Sequence, residues 1–498
     1  MIAAAEFVRP AGMALLDKLA QLGVPLADLT ADSRTVKLGS IFVAYPGTAQ
    51  DGRAYIAEAI SRGATAVIWE RDGFSWKEAW EIPNLGVENL RSRISEIAGD
   101  IYGNPSESLW MAGVTGTNGK TSVSQWIASA LDHTGRRSAV IGTLGNGLVG
   151  ERVEARNTTP DPIVLQRLLA DYLRRGARNV AMEVSSHGLD QGRVTGIKYD
   201  AAVFTNLTRD HLDYHGSMES YGEAKARLFT ARGVKHRIIN ADDDFGRELA
   251  RRHSDAITYG TAGAGRPAVG GKAFLASSIA LSDAGVRFHV DSEWGRGEVR
   301  AGVLGAFNVS NVLAVLATLI AAGLSFDDAV NAIARLEPVP GRLEKVGGGS
   351  LPLVVVDYAH TPDALEKALE ALRPAVAAGH RLFCVFGCGG DRDPGKRPLM
   401  GTVAARLADH LVVTSDNPRS EEPAAIIQQV MAGAHGAEAI EDRQVAIFTA
   451  VHHATPGDVV LVAGKGHETY QEIAGVRHPF DDREVARAAL ADWQRGAR

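Results

Sequence analysis
At 498 residues the chain is longer than one hydrophobic core supports, and about three domains are expected. With 45% hydrophobic and 22% charged residues it has the composition of a soluble globular protein, and a net charge of −6 excludes a generally basic nucleic-acid binder. The longest apolar run, the 13 residues Val312 to Leu324, is too short for a membrane span, Met1 to Pro10 shows no secretory signal, and the two cysteines, Cys384 and Cys388, cannot build a disulfide framework.

Residues 1–107 alternate short strands with helices. Ile41–Ala44 and Ala64–Trp69 are expected as strands, with a helix over Ala54–Arg62 between them. The turns Ala31-Asp32-Ser33-Arg34 and Pro46-Gly47-Thr48-Ala49-Gln50-Asp51-Gly52 flank the first strand. Small polar residues at strand ends suit a ligand pocket as well as plain turns. Tyr102-Gly103-Asn104-Pro105 breaks the pattern and closes this segment.

Residues 108–340 open on the most informative stretch. Leu109–Val114 reads as a buried strand, Gly116-Thr117-Asn118-Gly119 as a turn, and Lys120-Thr121-Ser122 as the start of a helix that is periodic from about Val123 to Leu131. Glycines let backbone N–H groups close on a polyphosphate, and the helix N-terminus adds partial positive charge. Lys120 can neutralise the outer phosphates, and the Thr121 hydroxyl suits a nucleotide-borne Mg²⁺; Val114 stands where the general P-loop spacing has its first glycine. ATP is the expected ligand.

Further strands are expected at Val140–Gly142, Asn179–Val184 and Ala201–Asn206. Glu183 lies near the carboxyl end of the second, where beside a triphosphate loop Mg²⁺ ligation is the better reading. His211 reads as a satisfied structural histidine or, with Asp210 and Asp213 as polar company, as a group for a metal or phosphate. A capping box of Ser220 and Glu223 is expected to open the next helix, on which Lys225 reads as an ordinary surface lysine.

After the Pro/Gly-rich connector Glu337–Arg342 the α/β alternation resumes to residue 498. Strands are expected at Leu353–Val356, Arg381–Phe386, His410–Thr414 and Val459–Val462. If they run parallel, the polar turns Asp357–His360, Gly387–Asp393, Ser415–Arg419 and Gly464–Glu468 share one rim. Gly387-x-Gly389-Gly390 lacks the spacing of a dinucleotide fingerprint, so NAD is not expected.

These turns together resemble the Mur ligases, ATP-dependent amino-acid-adding enzymes of peptidoglycan synthesis. The likeness covers nearly the whole chain. It is carried by Thr115–Thr121, Glu183-Val-Ser-Ser-His187, Asn206-Leu-Thr-Arg-Asp-His211, Phe307-Asn-Val-Ser-Asn311, Gly341-Arg342 and Asp357-Tyr-Ala-His360. It implies an α/β fold of three domains: a nucleotide-sugar-binding domain over 1–107, a central P-loop ATPase domain with a mostly parallel sheet over 108–340, and a Rossmann-like amino-acid-binding domain over 341–498. ATP is implied at Gly116, Thr117, Asn118, Gly119, Lys120, Thr121, Ser122, Asn311, Arg342 and Asp357. Catalysis falls to Lys120, Glu183, His211 and Lys225, and Mg²⁺ to Thr121, Glu183, His211 and Lys225, this last lysine as its carbamate. The UDP-MurNAc-dipeptide is placed against Ala31, Ser33, Thr48, Ala49, Gln50, Asn157, Thr158, Thr159, Ser185, Gln191 and Arg193.

Within the family, Asp416-Asn417-Pro418-Arg419 is similar to the motif of the diaminopimelate-adding members, and Arg392, Gly464 and Glu468 match their other amino-acid-binding positions. An arginine there makes physical sense, since its planar fork can hold the second carboxylate that lysine lacks. The resemblance thus implies a cytoplasmic, monomeric ligase of small-molecule substrates, with no nucleic-acid or membrane partner. Its rivals are a lysine-adding Mur ligase, a folylpolyglutamate synthase and, from a different class, a P-loop switch or motor.

Overall fold
The computed structural model describes residues 17–24, 28–47, 50–155, 157–261, 272–282 and 284–496. Met1–Pro10, Thr48, Ala49 and the Asp213 side chain lie outside the described residues. The fold is α/β. It divides into two compact units, the first running to Tyr259 and taking in Ala317–Gly323, the second comprising Ala273–Leu316 and the chain from Leu324 onward.

The first unit begins with a parallel sheet of four strands in sequence order, β1 (Leu29–Thr30), β2 (Ile41–Ala44), β3 (Ala66–Glu70) and β4 (Asn84–Val87). Every residue of β2 and β3 is buried because both faces are covered. Ile41, Val43, Ala66 and Ile68 share a core with Leu90, Ile94 and Ile97, while Phe42, Ala44, Val67 and Trp69 pack with Ile56 and Ala59 on the other side. The expected helix over Ala54–Arg62 is shorter: Gly52–Tyr55 is a 3-10 turn capped by Asp51, and the α-helix covers Ile56–Ser61.

A second sheet follows: β5 (Trp110–Thr115), β6 (Ser138–Gly142), β7 (Gly145–Leu148), β8 (Asn179–Glu183), β9 (Ala201–Phe204), β10 (His236–Asn240) and β11 (Ile257–Thr261). Their spatial order is β11-β10-β9-β5-β8-β6-β7. All neighbours are parallel except the β6–β7 hairpin. β5 lies between β8 and β9, so the loop after it leaves at a point where the strand order reverses, the usual place for a ligand in an open α/β sheet. The helix Leu90–Ile101 docks on the helix Pro162–Arg174 through Gln166, whose amide donates to the carbonyls of Ser95 (3.1 Å) and Gly196 (3.3 Å).

The second unit contains an antiparallel meander of β12 (Ala273–Ser282), β13 (Gly285–Ser292) and β14 (Gly295–Ala301), which the sequence reading did not anticipate. The last sheet holds β15 (Glu344–Gly347), β16 (Leu353–Asp357), β17 (Leu382–Phe386), β18 (His410–Val413), β19 (Glu438–Ala439) and β20 (Val459–Ala463), in the order β15-β16-β20-β17-β18-β19. Its four central strands are parallel, as expected, and β15 closes one edge antiparallel. The hairpin β21 (Tyr470–Ile473) and β22 (Val476–Pro479) rises beyond them. Among the described residues no helix is long and apolar enough to cross a membrane.

Candidate active site
The turn after β5 has the backbone that phosphate binding needs. Gly116 and Gly119 both adopt positive φ, and Gly119 caps the helix Lys120–His133 with no side-chain hydrogen bond to its first turn. That leaves the helix N-terminus to an anion rather than to a capping residue. The segment after β9 braces the loop. The Asn206 carbonyl accepts from Thr117 N (2.8 Å), its Oδ1 accepts from Asn118 N (2.9 Å), and Thr205 Oγ1 donates to the Asn118 carbonyl (2.6 Å). Any side chain at Gly116 would overlap Thr205 Oγ1.

Two lysines converge on this loop. Lys120 Nζ donates to the carbonyls of Gly116 (2.9 Å) and Thr117 (2.8 Å), and Lys225 Nζ donates to the same Gly116 carbonyl at 2.7 Å. Lys225 is therefore not the surface lysine its periodicity implied: it is only 1% exposed. Burial, reinforced by the nearby charge of Lys120, pushes its ammonium well below the ordinary lysine range. The expected Ser220–Glu223 box is also corrected. Ser217 caps the helix Met218–Ala226 by accepting from Ser220 N, and Glu223 pairs instead with Arg252 at 2.6 Å.

Glu183, at the end of β8, is wholly buried and accepts from Thr121 Oγ1 (3.0 Å), Thr143 N (2.8 Å) and Thr143 Oγ1 (3.1 Å), all neutral donors. His211 takes a left-handed backbone, φ 52°, beside Asp210, with 3.3 Å between its Nε2 and Asp210 Oδ2. Tyr221 separates it from Lys225: its ring centre is 6.1 Å from that of His211 and 4.2 Å from Lys225 Nζ. Among the described residues no three His, Cys, Asp or Glu side chains form a ready-made metal cage.

The expected nucleotide-sugar residues fall into one hydrogen-bonded network and several outliers. Thr159 Oγ1 donates to the Glu183 carbonyl (3.0 Å), and it accepts from Ser185 N (2.9 Å). Arg193 binds the Thr159 carbonyl (2.8 Å) and Gln191 Oε1 (2.6 Å), and Thr158 Oγ1 lies 3.0 Å from Thr143 Oγ1. Asn157, Ala31 and Gln50 are exposed, whereas Ser33 is buried and donates to Glu58 at 3.0 Å.

In the second unit the four polar turns share the carboxyl rim of the β16, β20, β17 and β18 strands. Asp357 Oδ1 and Oδ2 accept from the Ala359 and Leu343 amides, both at 2.8 Å, and burial raises its carboxyl despite the pull of Arg342. The Arg342 guanidinium lies over the Tyr358 ring at 4.9 Å, and Asn311 Nδ2 donates to Asn308 Oδ1 at 2.8 Å. Gly464, at φ 117°, lets β20 pass against Asp416, whose Oδ2 a side chain there would overlap.

Arg419, also left-handed at φ 50°, donates from Nη1 to the Gly390 carbonyl (2.7 Å), and Pro418 packs against Gly390. Arg392 is exposed on the adjoining turn and donates from Nη1 to the Asp391 carbonyl. Asn417 Nδ2 donates to Glu468 Oε2 at 2.8 Å.

Sequence reasoning missed Thr143, the main support of Glu183, because a threonine one residue past a strand carries no pattern. It also missed Lys465, which lies inside the Gly464–Glu468 turn and is fully buried between Asn417 and Glu468.

Three family models match the chain: "Mur ligase family, catalytic domain" at residues 26–102, "Mur ligase middle domain" at 114–319 and "Mur ligase, glutamate ligase domain" at 341–466. The UDP-N-acetylmuramoyl-L-alanyl-D-glutamate–2,6-diaminopimelate ligase of Chromobacterium violaceum is 54% identical over 483 residues, covering 95% of this chain and 96% of that relative. A solved structure of a ligase of the same name has a TM-score of 0.70 at 36% identity, over 99% of this chain and 98% of its own. Mycobacterium tuberculosis folylpolyglutamate synthase, with a TM-score of 0.60 at 18% identity over 75% of this chain and 92% of its own, shares the fold alone.

Proposed function
The chain belongs to the Mur ligase family, and on that premise we propose that it joins meso-2,6-diaminopimelate to UDP-N-acetylmuramoyl-L-alanyl-D-glutamate, using ATP. The observation that carries this reading is the rim of the last sheet, where the Arg419 guanidinium and the Asn417–Glu468 pair occupy one corner. A guanidinium suits the far carboxylate of a diamino diacid and a carboxylate suits an ammonium.

In the first step the D-Glu γ-carboxylate attacks the γ-phosphate of ATP, giving an acyl phosphate and ADP. The diaminopimelate amine then attacks the acyl carbon, and the tetrahedral intermediate collapses with loss of phosphate. Two anions meet in the first step, so positive charge is the main requirement. Lys120 supplies part of it, with Gly116 to Ser122 presenting backbone N–H groups to the phosphates; Asn311, Arg342 and Asp357 hold the rest of the nucleotide.

The donor set suits magnesium. Glu183 is a buried carboxylate whose donors are all neutral, so a cation balances it. Thr121, Glu183, His211 and a carbamylated Lys225 would hold the ion. When bound, magnesium supplies charge stabilisation between phosphate and carboxylate oxygens. Lys225 favours the modification on its own account: its neutral amine adds CO₂ and releases a proton, and the resulting carbamate turns repulsion from Lys120 into attraction.

The nucleotide sugar is assigned to Ala31, Ser33, Thr48, Ala49, Gln50, Asn157, Thr158, Thr159, Ser185, Gln191 and Arg193. The amino acid is assigned to Arg392, Asp416, Asn417, Pro418, Arg419, Gly464 and Glu468. Domains over 1–107, 108–340 and 341–498, a monomeric state and a cytoplasmic location complete the proposal. Mass spectrometry of the product made from purified substrates, with meso-diaminopimelate or L-lysine offered, tests it. The diaminopimelate adduct is expected, and equally efficient use of L-lysine overturns the assignment.

A further inference from the structure
Lys465 is fully buried, and its ammonium is held by two polar side chains. Nζ donates to Asn417 Oδ1 at 2.9 Å and to Glu468 Oε2 at 3.2 Å, closing a triangle with the 2.8 Å bond from Asn417 Nδ2 to Glu468 Oε2. A second acceptor contact on Asn417 Oδ1 comes from Glu472 N at 2.9 Å. Counting lone pairs decides what this does. Asn417 Oδ1 has two donors, so the amide cannot turn over without setting its NH2 against both the Lys465 ammonium and the Glu472 N–H. Glu468 Oε2 also has two donors, which leaves Oε1 as the oxygen with capacity for an incoming ammonium. The same contacts reach Arg419: its N donates to the Glu472 carbonyl (3.0 Å), and its own carbonyl accepts from Ala474 N (2.7 Å).

We propose that Lys465 is a positioning residue for amino-acid specificity, holding Asn417 and Glu468 in the one orientation that receives the ammonium end of the diamino acid. The inference rests on the reading of this rim as the amino-acid site. Lys465 touches no substrate itself; it acts through the two side chains that do.

The test is steady-state kinetics of Lys465→Met with ATP, the UDP-linked dipeptide and meso-diaminopimelate varied in turn. Met keeps the length of the side chain and loses its charge and donors. The diaminopimelate KM is expected to rise about tenfold to a hundredfold, the range of hydrogen bonds to charged groups, while the other two KM values stay within about twofold. Lys465→Met/Glu468→Gln, in which no carboxylate is left facing the methionine, covers the case in which the single variant folds poorly. Its diaminopimelate KM is expected to rise by less than the product of the two single-variant rises, because Lys465 acts through Glu468 as well as through Asn417.

An equal rise of all three KM values, a diaminopimelate KM that is unchanged or falls, or effects of the two substitutions that simply add, overturns the proposal. Failure of the site reading looks different: the unsubstituted enzyme itself would not prefer diaminopimelate.

Discussion

At the scale of single residues, the decisive features are charged groups taken out of water. Lys225 is the clearest, a buried amine held by one carbonyl and facing a second lysine. Lys225→Ala is expected to lower ligation about 10²- to 10³-fold, and added short carboxylic acids should restore part of it by replacing the carbamate; no restoration in the ligation assay counts against the carbamate. Arg419→Ala should raise the diaminopimelate KM by roughly 30-fold, about 2 kcal/mol, and leave the ATP KM nearly unchanged; an equal rise in both contradicts the assignment of Arg419 to the amino acid.

Arg443 and Asp482, both with fully buried side chains and 2.7 Å apart, present a different case. The guanidinium also donates to the carbonyls of Ser415 and Ala463, tying the ends of β18 and β20 to the start of the helix Asp482–Gly496. Arg443→Met alone strands a buried carboxylate and is expected to cost about 3–5 kcal/mol in chemical denaturation, whereas Arg443→Met/Asp482→Leu should recover most of that.

At the scale of elements, glycine decides how closely segments approach. A Cβ on Gly196 would stand 2.6 Å from the Ser95 carbonyl oxygen and 2.8 Å from Glu96 N, and neither is a flexible side-chain end. Gly196→Ala should therefore push the helix Leu90–Ile101 off its seat and cost about 1–3 kcal/mol, read as a lower melting temperature. The loop after β5 is a second example, because its shape comes from Thr205 and Asn206 in the segment that follows β9, 90 residues away in sequence for the Thr115–Thr205 pair. The helix it opens was legible in the sequence from Gly119-Lys120-Thr121. The brace was not, since nothing in the spacing of Thr205 and Asn206 says which loop they touch.

At the scale of the whole molecule, the family assignment predicts coupling. With ATP and the UDP-linked dipeptide, continued ADP release should require diaminopimelate, and each ADP should match one ligated product; sustained hydrolysis by enzyme and ATP alone would support the switch or motor reading instead. Stripping divalent cations with a chelator should stop ligation while far-UV circular dichroism stays unchanged. Glu183 keeps its three neutral donors without the ion, so the fold does not depend on it.

The sequence alone determined the strands that bury both faces, the glycine turn after β5 and the four polar turns, because strand periodicity and glycine-turn chemistry are local. It was also enough, through its motifs, to identify the family. Only the tertiary structure decided that Lys225 and Lys465 are buried, that Ser217 rather than Ser220 caps its helix, and that Thr143 holds Glu183. The physical reason is the same in each: burial and partner choice are set by residues distant in sequence, and a lysine or threonine has the same local signature in a core as at a surface.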